Sequence, residues 1–351
     1  MVIGNGNRLN GNNILDSYGE FLYSAFIMKT EAFPKTLQQA VVYFSNLDTA
    51  LGCMVAIRWP EGITCPRCES DRYSFVRTRR IWICLACKKH FSVKLGTIME
   101  DSPIGLDKWL TAMWLIVNAK NGISSYEIHR SVGVTQKSAW FLLHRIRKAM
   151  QAGTFKKLMG HVEVDETFIG AKARNMHRNV LAKRVAEHAT PYTGRNQNIG
   201  KVAVMGLLER HGEVRTMVVP NTKRKSLQGE IYKHVEEGSA VYSDALRSYR
   251  NLENDFTHKV INHAERYVDG QVHNNGIENF WSLLKRSLGG TYISVEPFHL
   301  FRYLDEQAFR FNNRKGDDSD RFIKAAQNIT GKRLTLKQLT GKEPKGYETS
   351  H

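Results

Sequence analysis

His161-Val-Glu-Val-Asp-Glu-Thr-Phe-Ile169 alternates apolar and polar residues with a period of two, which is the pattern of a half-buried strand. Val162 and Val164 then face one side, Glu163 and Asp165 the other. Downstream, Lys201 to Leu208 reads as a second strand and Glu213 to Val219 as a third, and the short connection at His211-Gly212 makes them antiparallel neighbours. A helix over Ser226 to Glu237 follows, then strands at Ser239–Asp244 and Lys259–Asn262, and helices over Gly276–Ser287 and Pro297 to about Asn312. Three strands, a helix, two short strands and closing helices describe an α/β domain of the ribonuclease-H-like kind, which we set at residues 158–314.

Three acidic residues stand out within it by location. Asp165 lies on the polar side of the first strand, Asp244 ends the fourth, and Glu278 sits in the first turn of the helix beginning at Gly276. Taken singly, an Asp at a strand end suits a turn and a Glu at a helix N-terminus suits the dipole. Together they repel one another unless cations bind, so the set asks for hard divalent ions with oxygen ligands, magnesium or manganese. Lys285 lies two helical turns beyond Glu278 on the same face, where it would hold a neighbouring phosphate. Asn275, one turn before Glu278, is an alternative ligand. Glu163 and Glu166 shape the field around Asp165, and neither is taken as a ligand.

Upstream, Cys65-Pro-Arg-Cys68 and Cys84-Leu-Ala-Cys87 are separated by fifteen residues, the spacing of a four-thiolate zinc site closed by a short hairpin. The opening residues have no charged n-region or apolar core of a signal peptide, so paired disulfides are the poorer reading. Cys53, alone in an apolar setting, reads as a packed small residue, and His90 as a surface contact. Arg67, Arg72, Arg77, Arg79, Arg80, Lys88, Lys89 and Lys94 surround this ribbon, interleaved with Tyr73, Phe75, Trp82 and Phe91. The cations suit phosphates. Trp82 and Phe91 are better read as the small core of the ribbon itself.

Between ribbon and α/β domain, Leu106–Ala119, Ile123–Val132 and Thr135–Met150 have helical spacing, with Gly133-Val134 as a turn and Thr135 as a cap. Helix, Gly-containing turn and helix form a helix-turn-helix. The last helix would offer Gln136, Lys137 and Ser138 to base edges, and His144, Arg145, Arg147 and Lys148 to the DNA backbone. The domain plan is therefore an N-terminal extension over 1–34 with the natural start expected near Met28, a helix and zinc ribbon over 35–98, and the helix-turn-helix module over 99–157. The α/β domain over 158–314 and a basic tail over 315–351 complete it. The helix ahead of the ribbon is expected as one amphipathic unit from Pro34 to about Ala56.

Charge agrees with this plan. The 351-residue chain carries 51 Lys+Arg against 34 Asp+Glu, a formal net charge of +17, which calls for a polyanionic partner. Ala171 to Gly200, with six Lys/Arg and one Glu, reads as a DNA-contacting insertion. No stretch reaches the roughly 18–20 apolar residues of a membrane span, so no membrane partner is expected, and the chain reads as cytoplasmic.

Glu163-Val-Asp-Glu-Thr-Phe-Ile-Gly170, Tyr242-Ser-Asp244, His273-Asn-Asn-Gly-Ile-Glu-Asn-Phe-Trp-Ser-Leu-Leu-Lys-Arg286 and Phe309-Arg-Phe-Asn-Asn-Arg314 resemble a DDE-type insertion-sequence transposase. The resemblance is to the group with an N-terminal zinc ribbon and an ISXO-type transposase domain, and it runs from about Glu31 to Arg314. It implies that Asp165, Asp244 and Glu278 bind the catalytic metal, with Lys285 as the associated basic residue. It also implies terminal inverted repeats and target DNA as double-stranded partners, metal-dependent strand cleavage and transfer, nucleoid association, and at least a homodimer on DNA. Two other readings share the ribbon: a zinc-dependent DNA-binding regulator with an inactive catalytic domain, and a site-specific nuclease that cuts without transposing.

Overall fold

The computed structural model describes residues 33–151, 153, 156–171, 175–188, 200–261 and 273–341. The expected start at Met28, and residues 172–174 and 189–199 of the basic insertion, lie outside them. In chain order come α1 (Leu37–Ser45), α2 (Leu47–Arg58), β1 (Tyr73–Val76), β2 (Ile81–Cys84), β3 (His90–Phe91), α3 (Leu106–Asn118), α4 (Ser125–Val132) and α5 (Gln136–Met150). They are followed by β4 (His161–Ile169), α6 (Arg178–His188), β5 (Val202–Glu209), β6 (Val214–Val219), α7 (Arg224–His234), β7 (Ala240–Asp244) and β8 (Thr257–Ile261). The last elements are α8 (Asn275–Ser287), α9 (Leu300–Asn312), α10 (Asp318–Gln327) and α11 (Leu336–Thr340).

The chain divides into two compact units, one drawn from Met1–Asn118, Ser125–Ala149 and Gly316–His351, the other from Ala119–Ser124 and Met150–Lys315. In the first, the single helix expected from Pro34 is broken at Asn46. The Asn46 side chain accepts from Asp48 N at 2.9 Å and Thr49 N at 3.1 Å, capping α2, and the helical path turns through 104°. The apolar stripe is broken with it: Leu37, Val41 and Val42 are exposed, while Phe44 and Leu51 are buried. Among the described residues no single helix is long and apolar enough to cross a membrane.

Residues 316–341 of the segment that composition presents as a basic tail fold into this unit. Asp317 caps α10 by accepting from Asp320 N at 2.8 Å. Phe322 is then buried with its ring 5.2 Å from Phe44, 5.6 Å from Trp114 and 5.9 Å from Phe33. Ile329 O accepts from Ile98 N at 3.1 Å, and Leu334 O accepts from Arg145 Nε at 3.0 Å. This corrects the reading of α5. His144, Arg145 and Arg147 are buried rather than offered to a DNA backbone, and Lys148 Nζ donates to Arg333 O at 2.9 Å. Lys137, at the start of α5, remains exposed.

The second unit is built on one five-stranded sheet in the order β6-β5-β4-β7-β8. β4, β5 and β6 are antiparallel neighbours, whereas β7 and β8 run parallel to β4. Alternation along β5 sends Met205 and Leu207 to one face, against Leu227 and Ile231 of α7, and Val204 and Leu208 to the other, against Phe280 and Leu284 of α8. β4 divides the same way, with Val162 and Val164 in the α7 cluster.

The first unit makes a direct demand on the C-terminal segment. Phe322→Ala should destabilise the protein by about 3–5 kcal/mol, as expected for emptying a fully buried aromatic site. Chemical denaturation of the full chain checks this, and a change below about 1 kcal/mol would contradict the packing.

Candidate active site and metal centres

The parallel pairing of β4 with β7 runs from His161↔Ala240 to Glu163↔Tyr242. Two residues further along each strand stand Asp165 and Asp244. The register thus sets the two carboxylates side by side where the strands part, on the face carrying α8. Asp244 Oδ1 accepts from Leu246 N at 3.1 Å as the chain turns away, and this fixes its carboxylate. Asp165 Oδ2 accepts from the Trp281 indole of α8 at 3.0 Å.

Glu166 joins them. Asp165, Glu166 and Asp244 can each offer an oxygen such that all three lie within 4.8 Å of one another. Glu166 leaves β4 on the α7 face, and its carboxylate accepts from the Tyr249 hydroxyl. Its position carried a signal in the sequence: a charged residue at 166 interrupts the apolar face formed by Val162, Val164 and Phe168. Burial raises the Asp165 carboxyl to about 6, aided by the charges of Asp244 and Glu278 and opposed by the Glu166 backbone amide and the Trp281 indole. Burial likewise raises Glu166 to about 7, opposed by the Tyr249 hydroxyl and aided by Asp244 and Asp165.

Glu278 stands outside this closest trio. It occupies the first turn of α8, exposed, and its charge reaches Asp165. Lys285 is exposed two turns further along. The opposite face of α8 buries Ile277, Phe280 and Leu284, with Trp281 at the boundary. Gly206 of β5 makes that seat possible, because a Cβ there would lie 2.6 Å from the Trp281 ring and 2.8 Å from Ile277 Cδ1. Asn275 is exposed at the first position of the helix. The donors gathered here are all oxygens, the set that suits magnesium or manganese.

The second centre lies in the three-stranded sheet β1-β2-β3. Cys65 Sγ lies 3.8 Å from Cys87 Sγ and Cys68 Sγ lies 3.5 Å from Cys84 Sγ, with all four within 4.8 Å. Four thiolates at about 2.3 Å from a tetrahedral zinc would be about 3.8 Å apart, so the set fits that ion. The two knuckles are built alike. Glu69 and Lys88, each directly after the second cysteine, have left-handed backbone at φ 59° and 57°. Cys87 N donates to Cys84 Sγ at 3.4 Å and is the leading cause lowering that thiol to about 6. Trp82 and Phe91 are buried and stacked 5.7 Å apart, the ribbon core expected of them. Cys53 is buried in α2, its thiol raised to about 12 by burial, and His90 is exposed.

Two family models match the chain. An ISXO2-like transposase domain matches residues 157–312, and a transposase zinc-ribbon domain matches residues 46–90. A transposase-like protein of Haemophilus influenzae is 38% identical over 102 residues, covering 29% of this chain and 82% of the relative. The chain belongs to the ISXO2-like transposase family. A protein in transposable element ISH50 of Halobacterium salinarum is 27% identical over 253 residues, 70% of this transposase and 84% of the relative. The acidic trio falls inside the transposase domain, and the four cysteines fall inside the zinc-ribbon match.

Metal analysis of the purified transposase should find one zinc bound by the four cysteines, and Cys65→Ser or Cys84→Ser should lose it. Because a structural zinc contributes on the order of 10 kcal/mol to folding such a module, hydrogen exchange across β1–β3 should rise to that of an unfolded chain. Unchanged protection without metal would count against a structural zinc.

Proposed function

We propose that this transposase binds the ends of its insertion sequence and cleaves and joins DNA strands with Asp165, Asp244 and Glu278 as the metal-binding triad. The observation that carries the reading is the convergence of Asp165 and Asp244 where the parallel strands β4 and β7 part, joined by Glu166. Close carboxylates repel one another, and the pKa values of two of them are raised chiefly by burial and further by that repulsion, a cost that divalent cations relieve. A pair of such ions would activate the attacking oxygen and stabilise the leaving oxygen of a phosphodiester.

The chain's own residues do the rest. Asp165, held by the Trp281 indole, is the central ligand, Asp244 approaches from β7, and Glu278 closes the set from α8. Lys285 holds a phosphate next to the scissile one. Glu166, backed by the Tyr249 hydroxyl, adds a carboxylate beside the ligands. The strand order third-second-first-fourth-fifth, with the last two parallel to the first, supports a ribonuclease-H-like fold for residues 158–314. The helix pair α4 and α5, joined through Gly133 at φ 63° and capped by Thr135 on Ser138 N at 3.2 Å, supports a helix-turn-helix. With the basic ribbon it recognises the terminal inverted repeats, Lys137 facing DNA. A net charge of +17 supports both this DNA partner and work at the nucleoid, and joining two ends requires at least a dimer.

Asp165→Asn and Asp244→Asn should each keep binding to the element's ends in a gel shift and lower strand transfer by about 10³-fold, the effect of losing several kcal/mol of metal-borne stabilisation. A fully active variant would sink the assignment.

A pH dependence follows with a definite sign. The unfolded chain releases the protons of Asp165 and Glu166 near 3.8 and 4.5, the folded chain near 6 and 7, so between these limits the folded state binds more protons. Stability of the metal-free protein therefore falls as pH rises from about 4 to 7. Magnesium binds the ionised carboxylates, so it should raise the melting temperature more at pH 8 than at pH 5.5. Thermal scans of wild type against the Asp165→Asn/Glu166→Gln double variant should show that the variant lacks both effects.

A further inference from the structure

Glu163 is 1% exposed on the face of β4 that carries α8, where its neighbours Leu208 and Ile277 are apolar. A carboxylate is held in such a place only with its oxygens satisfied. Glu163 Oε2 accepts from the backbone N–H of Ile277 at 3.0 Å, and Oε1 accepts from Arg210 Nε at 2.9 Å. Ile277 is the third residue of α8, and its amide is one that a helix's own N-cap side chain ordinarily takes. Here the N-cap, Asn274, makes no such bond, and its amide donates instead to Val164 O at 3.3 Å. The strand carboxylate has taken over the cap and places its charge at the positive end of the helix.

The spacing of the contacts gives this bond a consequence. Glu163 to Asp165 is two residues of strand, about 6.8 Å. Ile277 to Trp281 is four residues of helix, about 6 Å. The bonds Glu163–Ile277 and Asp165–Trp281 are therefore two rungs of one ladder that lays α8 along β4. Glu278 follows directly on the first rung. The rung is itself braced: Arg210 Nη2 donates to His273 O at 2.6 Å, and the guanidinium lies 4.2 Å over the Tyr242 ring. Gly276 leaves room for it, since a Cβ there would lie 2.7 Å from Glu163 Oε2.

We propose that Glu163 is a positioning residue for the reaction: capping α8 from the strand, it sets the distance of Glu278 from Asp165 and Asp244. The proposal rests on the reading of Glu278 as a metal ligand. Glu163 binds no metal. Glu163→Gln keeps the size of the side chain but has one acceptor for two donors, so its NH2 faces either the guanidinium or the helix amide.

The test is a double-mutant cycle on the full-length protein with Glu163→Gln, Glu278→Gln and the pair, measuring Mn2+ affinity by calorimetry and strand transfer on the element's ends. Glu278→Gln should weaken both, and Glu163→Gln should weaken Mn2+ binding by about 10–100-fold, as loss of a ligand-orienting partner does. Exchange of the Ile277 amide should quicken in Glu163→Gln, and the pair should be no worse than Glu278→Gln alone. Losses that multiply in the pair, or an unaffected Glu163→Gln beside a damaged Glu278→Gln, would overturn the positioning role and leave the triad standing. An unaffected Glu278→Gln would remove the third ligand and the proposal with it. If Glu163→Gln does not fold, Gly276→Ala runs the same cycle, its Cβ meeting Glu163 Oε2 at 2.7 Å and Leu208 Cδ2 at 2.6 Å and so crowding the carboxylate at the Ile277 amide, with Leu208→Ala beside it to relieve the apolar contact.

Discussion

Two residues of register between β4 and β7 govern the acidic site. Because the strands are parallel and in step up to Glu163 and Tyr242, the side chains at 165 and 244 fall on the same face and at the same height. A shift of one residue would send either carboxylate into the apolar cluster on the other face. The sheet spends its central strand on this arrangement. β4 is flanked on both sides, by β5 and β7, and carries three acidic residues in four positions from 163 to 166. Each is offset differently: Glu163 by a helix amide and a guanidinium, Asp165 by an indole, Glu166 by a tyrosine hydroxyl.

The first unit solves a different problem, since a ribbon of short strands cannot bury enough apolar surface to stand alone. A zinc ion held by the four cysteines would supply stability at one end. The helical core supplies the rest, and it recruits Phe322 from more than two hundred residues downstream. Arg58 links the two, its guanidinium donating to Val93 O at 2.6 Å and Leu95 O at 2.5 Å. The cations of this unit are consequently of two kinds. Lys137 is exposed, whereas Arg145 and Arg147 are buried, Arg145 donating to Leu334 O.

Much of the second unit was legible from pattern alone. Each strand from His161 to Ile261 and the helices Asn275–Ser287 and Leu300–Asn312 lie within a few residues of their expected bounds, because alternation and helical period act locally. Asp165 and Asp244 were legible one by one, as acids on strand positions, whereas their adjacency depends on the pairing of β4 with β7, which periodicity does not give. Glu166 was not taken as a ligand, and alternation along β4 points it to the face opposite Asp165, yet its carboxylate accepts from the Tyr249 hydroxyl and lies with those of Asp165 and Asp244. Asn46 was invisible as a break, because an apolar stripe read across it matched a single helix. The tail was misleading for a simpler reason: its polar composition hides Phe322, Ile329, Leu334 and Leu339, few but all buried.

By itself, then, the sequence determined what local chemistry can determine: the cysteine spacing that makes a tetrahedral thiolate site, the strand and helix periods, and the residues able to bind a hard cation. Tertiary structure decided which charges are available and which are consumed inside. Glu163 and Asp165 are two residues apart on one face of one strand, yet one meets a helix amide and a guanidinium and the other an indole beside Asp244. That difference comes from where α8 and β7 end relative to β4, contacts made across more than seventy residues of chain, and no periodicity along the sequence carries them.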